Sequence, residues 1–194
     1  MVRVLYAVDD SPHADPDAER MHRFVTGDPR AFEALYETHK GGVYNFCRRM
    51  LAGRADPGEA MQEVFFKVIT HAGQWEPRAK FRTWLYTIAR NHCHDLLRRP
   101  RLVEGDARVG LEAGADGPSV DPRLRALLND AIAELAPEQR EVFLMSAFLE
   151  MTFPEIAEIV EQPLNTTKSR MRLAVQHLRE ALSRAGIRKE ESDR

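Results

Sequence analysis

Apolar residues recur at helical spacing along almost the whole chain, and prolines cut that pattern into short pieces. The combination leaves little room for anything but a set of packed helices. Phe32, Leu35, Tyr36, His39, Val43, Phe46, Cys47 and Met50 return every few residues. So do Met61, Val64, Phe65, Val68, Ile69 and Ala72, and then Phe81, Trp84, Leu85, Ile88, His92 and Leu96. Breaks fall at Gly27-Asp28-Pro29, Asp56-Pro57, Arg99-Pro100, Ala136-Pro137 and Gln162-Pro163. Proline lacks an amide proton and clashes with the preceding turn, so it belongs at a helix start or beyond a helix end. An aspartate just before it can cap the free amides, as at Asp56-Pro57. No convincing strand follows residue 8, and no internal repeat is visible. The predicted fold class is all-α.

The pattern divides the chain in two. Residues 1–16 read as a tail, followed by a short helix from about Asp17 to Thr26. The next helix carries Gly41-Gly42 midway, which weakens it and predicts a kink. Two further helices complete a first domain over 17–99. The second domain, 122–186, also reads as four helices. One spans Pro122–Leu135, and one carries Val142, Phe143 and Met145. The third opens on the capping box Thr152-Phe153-Pro154-Glu155, with Ile156, Ile159 and Val160 inward. The last buries Leu164, Met171, Val175, Leu178 and Leu182. Residues 187–194 form a second tail.

Between the domains, residues 100–121 hold four glycines, two prolines and no periodic apolar face. From Glu104 to Asp121 the acids Glu104, Asp106, Glu112, Asp116 and Asp121 oppose only Arg108. Such a stretch buries too little apolar surface to offset the entropy of ordering it. It is expected to act as a flexible acidic linker that keeps the domains apart.

Composition excludes several classes. At 43% apolar and 30% charged residues the chain is globular. No apolar run nears the ~20 residues of a membrane span, and Met1–Val8 is too short for a secretory leader. With only Cys47 and Cys93 there is no disulfide framework, which suits a reducing compartment. A cytoplasmic protein is expected. His92-Cys93-His94 is the only metal-like cluster, but on a helix His92 and His94 point ~200° apart and cannot share an ion. His92 is expected in the core and His94 at the surface. No phosphate loop or nucleophile elbow is present, so neither an enzyme, a metal nor a cofactor is expected.

The net charge of −2 hides two basic segments. From Pro163 to Arg188, Lys168, Arg170, Arg172, Arg179, Arg184 and Arg188 face one acid, Glu180. From Arg78 to Arg101, seven Lys and Arg face only Asp95. Clustered cations are the footprint of phosphate contact. The last two helices, joined by a short turn with the second one basic, read as a helix-turn-helix. Asn165, Ser169, Arg172 and Gln176 share one arc away from the apolar stripe. Thr166, Thr167, Lys168 and Arg170 crowd its first turns, where a recognition helix meets base edges and phosphates.

Phe81-Arg82-Thr83-Trp84-Leu85-Tyr86-Thr87-Ile88-Ala89-Arg90-Asn91 resembles the F-R-x-W-L-x-x-I-A-x-N stretch of bacterial extracytoplasmic-function (ECF) sigma factors, in the sigma-70 family. Pro163-Leu164-Asn165-Thr166-Thr167-Lys168-Ser169-Arg170-Met171 is similar to that family's P-x-G-T-V-K-S-R-L, and the order of the two motifs matches too. The resemblance covers about residues 18–99 and 124–184. It implies a promoter-melting first domain (region 2, the −10 element) and a promoter-docking second domain (region 4, the −35 element). Single-stranded DNA needs aromatic platforms, cations and polar side chains. Gln74, Lys80, Arg82, Tyr86, Arg90 and Asn91 are the candidates, with Trp75 in the adjoining loop and Trp84 in the core. Asn165, Thr166, Thr167, Lys168, Ser169, Arg170 and Arg172 are the duplex candidates. Gln62, Glu63 and Phe66 match the family's Q-E-x-F. With Asp56 they would face the clamp of the polymerase largest subunit. The implied partners are core RNA polymerase (clamp and second-subunit flap), promoter DNA as duplex and single strand, and an anti-sigma factor. The linker would thread the RNA exit path.

The sequence departs from the family pattern at four places. Asn165 replaces a usual Gly and would tolerate positive φ. Thr167 replaces Val, and Leu173 and Val175 stand where Arg-x-Arg is common, which predicts weaker docking. A two-domain regulator that uses only the helix-turn-helix, with the first domain as a dimerisation module, is the alternative. The Trp75–Asn91 stretch separates the two, because a repressor needs no single-strand surface.

Overall fold

The computed structural model describes residues 15–76, 80–99 and 122–186. The expectations for tails 1–14 and 187–194, loop residues 77–79 and linker 100–121 lie outside them. Every element among the described residues is helical.

Aspartate–proline pairs start the first three helices. Asp15 caps α1 (Pro16–Val25), accepting from the Asp17 amide at 3.1 Å. Asp15 and Pro16 therefore belong to the fold, not to the tail in which the periodicity leaves them. Asp28 caps α2 (Pro29–Leu51) through the Arg30 amide at 3.0 Å, and Asp56 caps α3 (Pro57–Thr70) through Glu59 at 2.8 Å. A short 3-10 turn, Ala72–Gln74, leads towards α4 (Phe81–Arg98). Lys80 gives α4 no side-chain cap; Asp15 supplies one from across the chain, its carboxylate accepting from the Phe81 amide at 3.2 Å.

α2 runs unbroken through Gly41-Gly42, where a kink was expected. Packing explains the second glycine: a Cβ there would lie 2.6 Å from the Tyr86 hydroxyl. Leu35, Val43, Phe46, Met50, Val64, Val68, Phe81 and Leu85 fill the first core, with the free thiols Cys47 and Cys93 buried among them. Ile69, expected inward, is 45% exposed beside Phe66, because the covered face of α3 is narrower than its apolar stripe.

The second half comprises α5 (Pro122–Glu134), α6 (Pro137–Ala147), α7 (Phe153–Val160) and α8 (Leu164–Arg184). The capping box is present: the Glu155 amide donates to Thr152 Oγ1, and the Thr152 amide donates to the Glu155 carboxylate at 2.9 Å. Ile132, Leu135, Val142, Met145, Ile156, Ile159 and Leu178 form its core. On α8 the most buried positions are Thr167, Ala174, Leu178 and Ala181, while Leu164, Met171, Val175 and Leu182 are half-buried.

The linker composition predicts halves held apart, but the two halves are packed together. α4 packs on α7, and α2 packs on α5 and α6. Arg140 of α6 is the deepest tie. Its guanidinium donates to the carbonyls of Ile132 (3.0 Å), Ala133 and Leu135 (3.0 Å), and across the interface to Met50 (2.7 Å). It satisfies the carbonyls left open at the ends of α5 and α2. Arg49 of α2 lies 4.0 Å over the Phe148 ring, a cation–π contact.

Candidate nucleic-acid interface

Arg82, Tyr86, Arg90 and His94 are spaced by four and form one row along α4. Its Arg82, Arg90 and His94 face the second half. Arg82 donates to the Leu149 carbonyl. Arg90 Nε lies 2.8 Å from Glu141 of α6, and His94 Nε2 lies 2.6 Å from the same carboxylate oxygen. Just before α4, exposed Lys80 pairs with Glu155 at 2.8 Å. Asn91 is exposed, its side-chain oxygen 3.1 Å from Arg90 Nη1, and Gln74 is exposed at the end of the 3-10 turn. Lys80, Arg82 and Arg90 therefore already have partners in the second half, with Asn91 beside Arg90, while no contact brings Gln74 to them among the described residues.

The aromatic residues behave differently from expectation. Tyr86 is 2% exposed, packed edge-on against Phe46 at 5.6 Å with its hydroxyl against Gly42. Burial pushes its phenol well above the ordinary value. Tyr86 is a core residue, not a stacking platform. Trp75 is likewise buried, and Trp84 is half-buried against Phe81, as expected for core. The strand-holding chemistry offered by the remaining candidates, Gln74, Lys80, Arg82, Arg90 and Asn91, is cationic and amide. Periodicity within α4 could not find this, because α4 is covered from two sides: α2 and α3 on one, α7 on the other.

Glu141 is the hub of the site. Its side chain is fully buried, and a third partner, Arg170 of α8, stands 3.5 Å from its other oxygen. Burial alone would raise its pKa, but hydrogen bonds from His94 and Arg90 outweigh that and hold the carboxyl below its ordinary value. His94 is thus half-buried against the Glu141 carboxylate, not at the free surface that its phase predicts. His92 is in the core as expected, its Nδ1 3.1 Å from Lys67 Nζ. No three His, Cys, Asp or Glu converge as a metal site among the described residues.

On α8, Asn165, Ser169, Arg172 and Gln176 are exposed, on the arc the sequence predicts, and Lys168 is exposed as well. Thr166 is half-buried. One expectation fails. Thr167 is fully buried, its hydroxyl donating to the Pro163 carbonyl at 3.3 Å, so it is unable to reach DNA. It faces inward at the position where the family carries Val. Asn165 is helical without positive φ; the left-handed residue is Glu161 (φ 54°), which ends α7 and turns the chain into α8. Pro163 offers α8 no side-chain cap, which leaves its first amides open. Leu173 is 47% exposed on the outer surface.

On α3, Asp56, Gln62, Glu63 and Phe66 are all exposed, with Phe66 at 60%. Phe66 and Ile69 make an apolar patch beside carboxylates, the kind of surface a partner covers.

Comparison with known proteins gives a consistent picture. The model for Sigma-70 region 2 matches residues 35–102, and that for Sigma-70 region 4 matches residues 125–178. The chain is 34% identical over 165 residues to RNA polymerase sigma factor CarQ of Myxococcus xanthus, covering 84% of this chain and 95% of that one. It is 34% identical over 170 residues to ECF RNA polymerase sigma factor RpoE of Cereibacter sphaeroides, covering 86% and 92%. The fold is similar to that of CnrH, solved with the cytosolic domain of CnrY (TM-score 0.69, 22% identity, 89% of this chain and 100% of that one). It is also similar to RpoE of Bartonella quintana, solved with the anti-sigma factor NepR (TM-score 0.62, 22% identity, 78% and 96%).

Proposed function

The chain belongs to the ECF sigma factors of the sigma-70 family, which direct RNA polymerase to promoters, and we propose how its residues divide that work. Residues 17–99 act as region 2, residues 122–186 as region 4, and 100–121 as the linker between them. Gln74, Lys80, Arg82, Arg90 and Asn91 hold the melted strand of the −10 element: cations for the backbone and amides for an unstacked base. Asn165, Thr166, Lys168, Ser169, Arg170 and Arg172 dock the −35 duplex from the first turns of α8. Asp56, Gln62, Glu63 and Phe66 bind the clamp of the polymerase.

What best supports the docking role is the exposed arc of Asn165, Lys168, Ser169 and Arg172 on the second helix of a helix-turn-helix. Run-off transcription with core polymerase tests the whole reading. Initiation from a defined start is expected only when this chain is added; initiation without it, or none with it, refutes the reading. The protein acts in the cytoplasm, where its polymerase is, and no described helix is long and apolar enough to cross a membrane. Its control comes from an anti-sigma factor; the solved Bartonella quintana RpoE is bound to one.

A further inference from the structure

We propose that Leu173 selects thymine in the −35 duplex, through the C5-methyl group that thymine alone presents in the major groove. The proposal rests on the assignment of α8 to that duplex, and it adds what one further side chain reads there. Leu173 is 47% exposed, a large apolar side chain on the outer surface of the helix. Around the helix axis it lies ~40° from Ser169 and ~60° from Gln176, both exposed on the arc assigned to DNA. Thr167, Ala174, Leu178 and Ala181 line the buried face of α8, ~80–140° away. The core of the second half therefore does not require an apolar residue at 173. Arg, Lys or Gln would support the helix about as well and would keep a solvated head group.

Leucine changes what this position is able to recognise. An arginine there pairs with phosphate or with guanine; leucine carries neither charge nor donor. On the base edges of the major groove the one apolar group is the thymine methyl, so that is the contact an exposed leucine gains on docking. Exposed Lys168 and Arg172 remain to hold the phosphates, so register does not depend on residue 173. Val175, the other apolar residue at a usual arginine position, does not share the role. It stands ~200° around the helix from Leu173 and is half-buried. One turn beyond Gln176, the exposed Glu180 carboxylate accepts from Gln176 Nε2 at 3.0 Å. A carboxylate repels phosphate, so Leu173 sits between the cations of the early turns and the point where the DNA surface of α8 ends.

The test uses holoenzyme, the full chain with core polymerase, and a promoter duplex that this holoenzyme selects from a random library. Closed complexes are titrated at low temperature, with each thymine of the −35 element replaced in turn by deoxyuridine. That replacement removes one methyl and keeps every hydrogen-bonding group of the base. At one position the parent should lose about four-fold in affinity, the factor that burial of one methyl contributes. Leu173→Ala should bind the thymine and deoxyuridine forms of that duplex equally. A selected −35 element without thymine on either strand overturns the proposal. So does the absence of any deoxyuridine effect, or an effect that persists unchanged in Leu173→Ala. Lys168→Ala reports on the underlying assignment of α8. It should weaken both forms of the duplex alike; no loss on either would show that α8 does not dock the duplex, whereas loss on both without a methyl effect leaves docking intact and removes only the role of Leu173.

Discussion

Arg140 of α6 donates from Nη1 to the carbonyl of Met50, in the last turn of α2, at 2.7 Å. The same guanidinium closes the end of α5, so one buried side chain terminates two helices from different halves. Arg140→Met keeps the volume but leaves the Met50, Ala133 and Leu135 carbonyls without this donor, while that of Ile132 keeps the Leu135 amide at 3.2 Å. Each buried unsatisfied group costs ~1–3 kcal/mol, so a loss of about 3 kcal/mol or more is expected in urea unfolding. A loss below about 1 kcal/mol would show that water replaces the guanidinium.

Gly42→Ala is expected to destabilise the first half by about 1–3 kcal/mol, although alanine is the better helix former by about 1 kcal/mol. The added methyl meets the hydroxyl of a tyrosine held rigid by burial. In a Tyr86→Phe background the same change should be neutral or stabilising. Equal effects in both backgrounds, measured by thermal unfolding, would assign the cost elsewhere.

Phe66→Ala combined with Glu63→Ala should weaken binding to core polymerase by ~1–4 kcal/mol. Both side chains are exposed, so far-ultraviolet circular dichroism and melting temperature should stay unchanged. An unaltered titration against core polymerase would remove this surface from the interface.

Lys168→Ala and Arg172→Ala should each weaken duplex docking and lower the salt slope by roughly one. Thr167→Ala should instead lower stability, because its hydroxyl bonds the Pro163 carbonyl in the buried face of α8. Promoter affinity of the folded Thr167 variant should equal that of the parent at every salt concentration. A changed salt slope for Thr167→Ala would return that residue to the interface.

Acid should loosen the first half through His92. Burial first, then the Lys67 ammonium, holds the imidazole below its ordinary 6.5, against the opposing pull of Glu63 and Asp95. The unfolded chain thus takes up the proton at a higher pH than the folded one. Stability is unaffected by this group above pH 6.5 and declines as pH falls below it. In urea unfolding between pH 7 and 5, His92→Gln should flatten that part of the profile relative to the parent. Glu141 acts later: its folded value is depressed, so its contribution is full above its ordinary 4.5 and lost only as pH falls through the folded value. A Glu141→Gln profile that differs from the parent's shape already at neutral pH would contradict this ordering.

Helix order, the aspartate and proline starts and the Thr152–Glu155 capping box follow from local chemistry, so the sequence alone determined them. Each is decided within a few residues of chain. The exposed arc of Asn165, Ser169, Arg172 and Gln176 and the outward Phe66 are likewise legible, because helical phase and side-chain polarity agree there. Tertiary structure decided the rest. Tyr86 looks like a polar-face aromatic until Gly42 of another helix opens a slot for it. Thr167 and Trp75 are amphipathic enough to face either way, and neighbouring elements cover them. Asp15 caps a helix 66 residues away, a distance no motif spans. The cluster around buried Glu141 lies furthest from the sequence. Its four side chains come from three helices in both halves, and an acidic residue among apolar ones on α6 gives no sign of its partners. Local propensity sets where helices begin and end; which flank of each becomes interior depends on what the rest of the chain lays against it.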